Sequence, residues 1–229
     1  MQHRQINIKG QLYEFDRPKV MGILNLTPDS FFDGGKYIDE EDAIHRRIDQ
    51  MRSEGADMID VGAYSSRPGA DDVSEDEEWR RLSVGLEVIN KYYPDAILSV
   101  DTFRSGVARK CVEQGGVAII NDISGGELDP DMFSTVADLH VPYILMHMKG
   151  TPQDMQNSPE YDDVTGEVIK YLSGRVQELR KLGVADIIID PGFGFGKSVE
   201  HNYKLMKDLK DFQIFDAPLF VGISRKSDI

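Results

Sequence analysis

Three polar residues that could bind a ligand directly follow short apolar runs in this sequence: Asp101, Asn121 and Asp190. An ionised carboxylate accepts hydrogen bonds from paired N–H donors, whereas an amide supplies both a donor and an acceptor. Together they could hold the edge of a flat heterocycle that carries an amino-pyrimidinone. A single Asp after a strand more simply caps the next helix, but three such strand ends favour a binding site.

Two short segments combine hydroxyl groups with basic side chains. Residues 65–69 have the sequence Ser-Ser-Arg-Pro-Gly, and residues 224–227 have the sequence Ser-Arg-Lys-Ser. Phosphate oxygens accept hydrogen bonds from hydroxyls, and an arginine can bind them in a bidentate fashion. Because the protein as a whole is strongly acidic, basic groups at these two places indicate an anionic substrate.

Two longer segments after apolar runs are predicted to lie against a ligand. Residues 25–36 are polar and contain the adjacent Phe31 and Phe32; they could close as a lid or form an ordinary turn with aromatic anchors. Residues 190–198 contain three glycines but fail the spacing of a nucleotide P-loop, because Pro191 stands at the first glycine position. We expect these glycines to let the backbone approach a ligand closely.

Short apolar runs alternate with amphipathic segments along the chain. Apolar residues at consecutive positions are typical of strands buried on both faces, and repeated βα units imply a parallel sheet with right-handed crossovers. An open doubly wound sheet and a (β/α)8 barrel both fit this alternation. The barrel is favoured because the polar strand ends would converge on one mouth. The seven predicted strands are 20–24, 58–61, 97–100, 118–120, 143–146, 187–189 and 219–221.

The ends of the chain add two expectations to this α/β barrel. Segments 6–8 and 12–15, joined across Gly10, predict an N-terminal hairpin that covers the base of the barrel. Seven strands do not close an eight-stranded barrel, so we expect the last helix, the eighth strand and its helix to be missing from this chain. Residues 1–229 are interpreted as one barrel domain that is incomplete at its C-terminus.

Composition excludes several classes of protein. The chain of 229 residues has 26 Lys and Arg against 40 Asp and Glu, a formal net charge of −14, and this disfavours a general nucleic-acid binder. The single Cys111 cannot form an intramolecular disulfide. No apolar run approaches the ~20 residues that span a bilayer. We therefore expect a cytoplasmic protein. His147 and the other four histidines lack metal-ligand spacing.

Several segments together resemble the dihydropteroate synthases, members of the pterin-binding barrel family. Each motif alone is weak, but seven occur in order and each lies at a predicted strand end. The resemblance implies a (β/α)8 fold and a transferase that joins 6-hydroxymethyl-7,8-dihydropterin diphosphate to 4-aminobenzoate with release of pyrophosphate. The segments that carry it are 21–31, 65–69, 99–102, 120–126, 145–152, 190–197 and 224–227.

The same resemblance implies roles for individual residues. It assigns Mg²⁺ binding on the diphosphate to Asn25, and catalysis to Asp101, Asp190 and Lys226. Met146 and Phe195 are expected near the pterin ring. The substrate-binding residues that it implies are Ser66, Arg67, Asp101, Asn121, Met146, Asp190, Phe195, Gly222 and Lys226.

The implied mechanism needs no covalent intermediate with the enzyme. The bond to the diphosphate breaks early and leaves a methylene cation that is delocalised into the pterin. Ionised Asp101 and Asp190 would stabilise this charge, while Mg²⁺ and basic groups would stabilise the leaving diphosphate. Closure of the first two loops would exclude water. Sulfonamides, which mimic aminobenzoate, are expected to compete, and a homodimer is compatible with the family.

The sequence departs from the family pattern in two places, and two alternatives stay open. Residues 63–66 have the sequence Ala-Tyr-Ser-Ser where Gly-Glu-Ser-Thr is common, and no segment matches the Arg-x-His pair of the family's eighth strand. The alternatives are a methyltetrahydrofolate–corrinoid methyltransferase and a non-catalytic pterin-binding barrel. Residues 224–227 and the first loop favour the enzyme that uses a diphosphate.

Overall fold

A computed structural model describes residues 4–27, 32–33, 36–37, 40–64, 73–150 and 160–223. The strands are β1 (Gln5–Ile8), β2 (Gln11–Glu14), β3 (Met21–Asn25), β4 (Phe32–Asp33), β5 (Lys36–Tyr37), β6 (Met58–Gly62), β7 (Leu98–Asp101), β8 (Ile119–Asp122), β9 (Tyr143–Met146) and β10 (Ile187–Asp190). The helices are α1 (Glu40–Ser53), α2 (Glu75–Tyr92), α3 (Ser105–Glu113), α4 (Met132–Leu139), α5 (Val164–Lys181) and α6 (Val199–Lys207), followed by a 3₁₀ helix, Leu209–Phe215.

The chain winds around its central sheet in one direction. The six strands β3, β6, β7, β8, β9 and β10 are parallel, and each pairs with the next in this order. A doubly wound sheet would reverse its strand order at a switch point. This sheet shows no reversal among the described residues, so the strand order distinguishes the barrel from the open sheet that also fitted the sequence.

The predicted seventh strand is only a single bridge. Ile189 pairs in parallel with Leu219. The Ile189 N–H donates to the Pro218 carbonyl at 2.9 Å, and the Phe220 N–H donates to the Ile189 carbonyl at 2.8 Å. The prediction of a strand over 219–221 was therefore too long, although this segment continues the same strand order beyond β10.

The N-terminal hairpin covers the base of the sheet, as predicted. Lys9 and Gly10 both have positive φ, 51° and 84°, which is typical of the two-residue turns whose twist suits a hairpin. Ile6 and Ile8 pack into a buried cluster with Met58 and other residues near the amino ends of the parallel strands. The opposite, carboxyl ends of the strands are thereby left to form the mouth.

The helices pack their apolar stripes against the sheet. In α2, the N-cap Ser74 accepts a hydrogen bond from the Glu77 N–H, and Leu82, Leu86 and Ile89, whose spacing places them on one face of the helix, are buried. Strands β8, β9 and β10 are buried throughout, which explains why their apolar residues are consecutive rather than alternating. In the part of the chain that is described, no helix is both long and apolar enough to cross a membrane.

Candidate active site

The predicted polar strand ends are neighbours in the sheet. Asp101 at the end of β7 is in register with Asn121 on β8, and Met146 at the end of β9 is in register with Asp190 at the end of β10. Adjacent strands lie about 4.8 Å apart. Four of the residues predicted to form the site therefore occupy the same edge of the sheet, and that they form one binding site stays a prediction.

A buried aspartate beneath this edge orients Asn121. Asp60 Oδ2 on β6 accepts a hydrogen bond of 2.9 Å from Asn121 Nδ2. This contact fixes which end of the amide faces Asp60, so Asn121 retains its oxygen and a second N–H for other partners. Asp60 was not predicted to belong to the site, although the sequence shows a carboxylate that interrupts the apolar run 58–61.

Two buried oxygen atoms in this region make no close hydrogen bond among the described residues. They are Asp60 Oδ1 and Ser99 Oγ, and their residues are in register on β6 and β7. The Ser99 hydroxyl nevertheless lowers the pKa of Asp60 as a hydrogen-bond donor. The two side chains therefore face each other, and their contact is looser than the other buried hydrogen bonds of this region.

The same region disfavours negative charge. Burial raises the pKa of Asp60, and burial raises the pKa of Asp101 well above its usual value. Nearby carboxylates raise the Asp101 pKa further, namely Asp60, Glu78 and Asp122. The prediction that Asp101 is held ionised therefore needs a correction. Without a ligand, the surroundings of Asp101 favour its protonated form. N–H donors or a cation close to the carboxyl group would favour the ionised form.

Asp122, next to Asn121, has a structural role. Its Oδ1 accepts from the Ser124 N–H at 2.8 Å and the Ser124 hydroxyl at 2.7 Å. Its Oδ2 accepts from the Gly126 N–H at 2.8 Å and the Tyr143 hydroxyl at 2.7 Å. Four donors satisfy this buried carboxylate and fix the turn after β8.

The glycines after β10 allow close backbone packing, but against the protein. Gly192 has φ 72°, and a Cβ there would lie 1.9 Å from the His147 carbonyl oxygen. Gly196 has φ 61°, and its Cβ would lie 2.3 Å from the Lys149 carbonyl oxygen. Glycine is therefore required at both positions because the loop lies directly on the segment that follows β9, and the expectation that these glycines admit a ligand stays a prediction.

This loop presents a carboxylate and an aromatic ring rather than a phosphate cradle. Asp190 Oδ1 accepts from the Gly192 N–H at 2.7 Å. The Phe195 side chain packs against a small apolar cluster at the strand ends, Ile123, Met146 and Met148. Met146 and Phe195 are therefore brought together, as predicted. Lys197 is buried and donates to backbone carbonyls, which agrees with the failed P-loop spacing.

Strand β3, the first strand of the parallel sheet, contributes an exposed amide oxygen. Asn25 ends β3, is exposed, and is in register with Gly62. A Cβ built on Gly62 would lie 3.7 Å from Asn25 Oδ1 and 3.6 Å from Asp101 Oδ2, so the two oxygens flank this glycine. Amide and carboxylate oxygens suit Mg²⁺, which keeps several waters and binds few protein ligands alongside substrate phosphates. The described residues hold no cluster of three or more His, Cys, Asp or Glu able to bind a metal.

Arg104 contacts a residue on each side of the loop that follows β6, namely Tyr64 and Val73. The Arg104 guanidinium lies 5.3 Å from the Tyr64 ring centre and donates to the Val73 carbonyl at 2.7 Å. It also pairs with the fully buried Glu78. The Tyr64 ring meets Phe103 edge to face, with centroids 5.1 Å apart. The unusual tyrosine at position 64 is thus accommodated by its own aromatic and cationic partners.

The remaining predicted site residues are only partly accounted for. Ser66, Arg67 and Lys226 lie outside the described residues. Gly222 is half-buried and follows Phe220, the last residue that bonds to β10. Within the first loop, the described residues include the short antiparallel pair β4 and β5. The lid prediction for residues 25–36 is otherwise untested.

Comparison with known proteins identifies relatives across nearly the whole chain. A family model described as pterin binding enzyme matches residues 21–229. The dihydropteroate synthase of Escherichia coli K12 is 42% identical over 223 residues, which cover 96% of this chain and 78% of that enzyme. The mitochondrial bifunctional folate synthesis protein of Arabidopsis thaliana is 43% identical over 239 residues, covering 97% of this chain but 43% of that protein.

Solved structures give the same result. The Yersinia pestis dihydropteroate synthase, determined with a sulfonamide drug complex, superposes with a TM-score of 0.89 and 39% identity over 98% of this chain and 81% of that chain. The Xanthomonas albilineans enzyme in complex with 7,8-dihydropteroate gives a TM-score of 0.82 and 36% identity over 98% of this chain and 79% of that chain. The strand order and these neighbours confirm the α/β barrel class.

Proposed function

Because the chain belongs to the dihydropteroate synthase family, the pterin-binding transferases of folate synthesis, we propose that its strand ends bind 6-hydroxymethyl-7,8-dihydropterin diphosphate and join it to 4-aminobenzoate. A C–N bond forms between the arylamine nitrogen and the pterin methylene carbon. The C–O bond to the diphosphate breaks, pyrophosphate leaves with the bonding electrons, and the amine nitrogen loses a proton. The relatives do not favour the corrinoid methyltransferase or the non-catalytic barrel.

The observation that carries this proposal is that Asp101, Asn121 and Asp190 lie at the same edge of the parallel sheet. The pterin edge offers amino and ring N–H donors beside a carbonyl oxygen. Carboxylates accept from the donors, while Asn121, held by Asp60 at 2.9 Å, offers a remaining N–H and its oxygen. The half-buried Phe195 and the buried Met146 supply an apolar surface for the flat ring.

The acidic strand ends would also stabilise the charge that develops during the reaction. When the C–O bond breaks, positive charge spreads from the methylene carbon into the pterin ring. Asp101 has a raised pKa in the absence of a ligand, so N–H donors and developing positive charge would favour its ionised form. Once the N–H groups of the bound pterin have favoured ionisation, the carboxylate is in place before the C–O bond breaks, and a charge held in position stabilises the transition state strongly.

The diphosphate end of the substrate would lie near the first strand. Asn25 would hold Mg²⁺ there, and the ion, when bound, would offset negative charge on the leaving pyrophosphate. Ser66, Arg67 and Lys226 stay predictions for diphosphate and aminobenzoate contacts. A cytoplasmic location, which the buried unpaired Cys111 supports, and a homodimer also stay predictions.

The proposal is tested with the full-length protein, both substrates and Mg²⁺. We expect pyrophosphate release that requires 4-aminobenzoate. In isothermal titration, Asp190→Asn should weaken pterin diphosphate binding by ~1–3 kcal/mol, whereas Asp138→Asn, an exposed change on α4, should not. No pyrophosphate release would overturn the proposed activity, and binding without turnover would instead favour the non-catalytic barrel.

A further inference from the structure

A buried lysine connects the segments that follow β9 and β10. Lys197 is only 1% exposed, which is rare for lysine unless it is well bonded. Its Nζ lies 2.9 Å from His147 Nδ1, 2.8 Å from the Gly192 carbonyl oxygen and 3.0 Å from the Phe195 carbonyl oxygen. An ammonium has three N–H donors, and these three short contacts match that number. The His147 carbonyl lies further away, at 3.3 Å.

His147 is suited to accept this hydrogen bond. Burial, together with the neighbouring Lys197 charge, lowers the pKa of His147 to about 2. A neutral imidazole that accepts at Nδ1 carries its proton on Nε2. The ring also packs edge to face on Tyr171, with centroids 5.0 Å apart. Lys197 is therefore bonded to His147, which follows β9 and is itself held in place by Tyr171 on α5.

Gly192 and Phe195, whose carbonyl oxygens accept the two shorter backbone hydrogen bonds from Lys197, are both connected to the candidate active site. The Gly192 N–H donates to Asp190 Oδ1 at 2.7 Å, so Gly192 is fixed from its carbonyl by Lys197 and from its amide by Asp190. Phe195 lays its ring against Met146 and its apolar neighbours. A shift of this loop would therefore move a partner of the carboxylate and the aromatic surface together.

We propose that Lys197 is a positioning residue that sets the affinity for the pterin by fixing Gly192 and Phe195, without touching the substrate. Its hydrogen bonds point into the protein, towards three backbone carbonyls and His147. This differs from the phosphate-binding role that a lysine after a glycine-rich loop usually suggests. The inference rests on the proposed function for its substrate, although its structural part does not.

The first test compares Lys197→Met with Lys204→Met. Lys204 lies nearby on α6, is exposed, and pairs with Asp208, so its substitution is a matched control. In titrations with 6-hydroxymethyl-7,8-dihydropterin diphosphate alone, Lys197→Met should raise Kd about tenfold or more, because small misplacements of binding groups have large effects. Lys204→Met should bind as the unmodified protein does. A folded Lys197→Met protein with unchanged Kd would overturn the proposal.

A second pair of variants keeps the test decisive if Lys197→Met does not fold. His147→Asn retains an acceptor near the position of Nδ1, whereas His147→Leu removes it. We expect His147→Asn to bind the pterin diphosphate more tightly than His147→Leu. Equal affinities would contradict a role for the Lys197 hydrogen bond, since a purely space-filling histidine would not distinguish the two substitutions.

Hydrogen exchange separates this inference from the proposed function. Amides of residues 192–196 should exchange faster in His147→Leu than in His147→Asn, and faster in Lys197→Met than in Lys204→Met. This readout needs no substrate. If the unmodified protein failed to bind the pterin diphosphate, the proposed function would fall, while unchanged exchange in 192–196 would overturn the positional role of Lys197.

Discussion

The two halves of the mouth are built on opposite principles. Around β6, β7 and β8, Asp60 and Asp101 have raised pKa values, and Asp60 Oδ1 and Ser99 Oγ make no close hydrogen bond among the described residues. Around β9 and β10, Lys197 and His147 bind each other and the glycine-rich loop. Under the proposed function, a ligand that brings donors or positive charge would complete the first half, whereas the second half is already bonded within the protein.

Two adjacent residues show the same contrast at smaller scale. Asp122 receives four hydrogen bonds from the protein. Asn121 makes one described side-chain contact, to Asp60, and retains donor and acceptor capacity. A carboxylate satisfied by the fold determines structure, whereas a polar group left incompletely satisfied is available for binding.

The largest change in the free energy of unfolding is expected on removing Arg104, the cation that pairs with the buried Glu78. Arg104→Met would leave Glu78 buried without its ion-pair partner, and such a change costs ~3–5 kcal/mol. Urea unfolding should show this loss. Arg109→Met on the same helix removes an exposed arginine and should stay within about 0.5 kcal/mol. Equal losses in the two variants would mean that Glu78 does not depend on Arg104.

The two candidate catalytic carboxylates should respond alike in activity but differ in stability. Asp101→Asn and Asp190→Asn should each lower kcat/KM about 10²–10³-fold by removing the negative charge that the carboxylate supplies to the bound pterin, measured as pyrophosphate release. Only Asp101→Asn should raise the free energy of unfolding at neutral pH, because it relieves burial and repulsion from neighbouring carboxylates. An Asp101→Asn protein that is less stable than the unmodified one would remove the contrast between the halves.

The strands and the main site residues were predictable because their signals are local. An apolar run such as 143–146 that ends in a polar residue favours a buried strand, and β9 has those bounds. The polar ends Asp101, Asn121 and Asp190 lie at one edge simply because the strands are parallel.

Side-chain direction and backbone proximity could not be predicted in the same way. Asn121 and Asp122 are equally polar in sequence, and only the turn that follows makes the second structural. The position of Lys197 after three glycines suggested a ligand-facing loop, whereas the contact between Gly192 and His147 depends on how two distant loops pack. Asp60 was overlooked because its role is to hold another side chain.

A smaller effect should separate the structural Asp122 from the binding residues. Tyr143→Phe removes the hydroxyl that donates to Asp122 Oδ2 at 2.7 Å, and loss of such a buried bond costs ~1–3 kcal/mol. The unfolding free energy should fall while kcat stays unchanged at a temperature where the variant is folded. Tyr203→Phe, at an exposed tyrosine on α6, is the matched control. A selective loss of kcat would instead place Asp122 in the catalytic machinery.

Asp60→Asn should change the free energy of unfolding least among these variants, and the informative measurement is how that change varies with pH. Because the folded-state pKa of Asp60 is raised by burial, this carboxyl stabilises the fold at low pH, and the contribution is lost as pH rises through the raised pKa. Asparagine keeps an oxygen for Asn121 and does not titrate. The variant should therefore gain stability over the unmodified protein at about pH 8, and the gain should shrink towards about pH 5. Urea unfolding across this range measures the difference; a gain independent of pH would show that Asp60 is ionised as readily in the folded protein as in the unfolded chain.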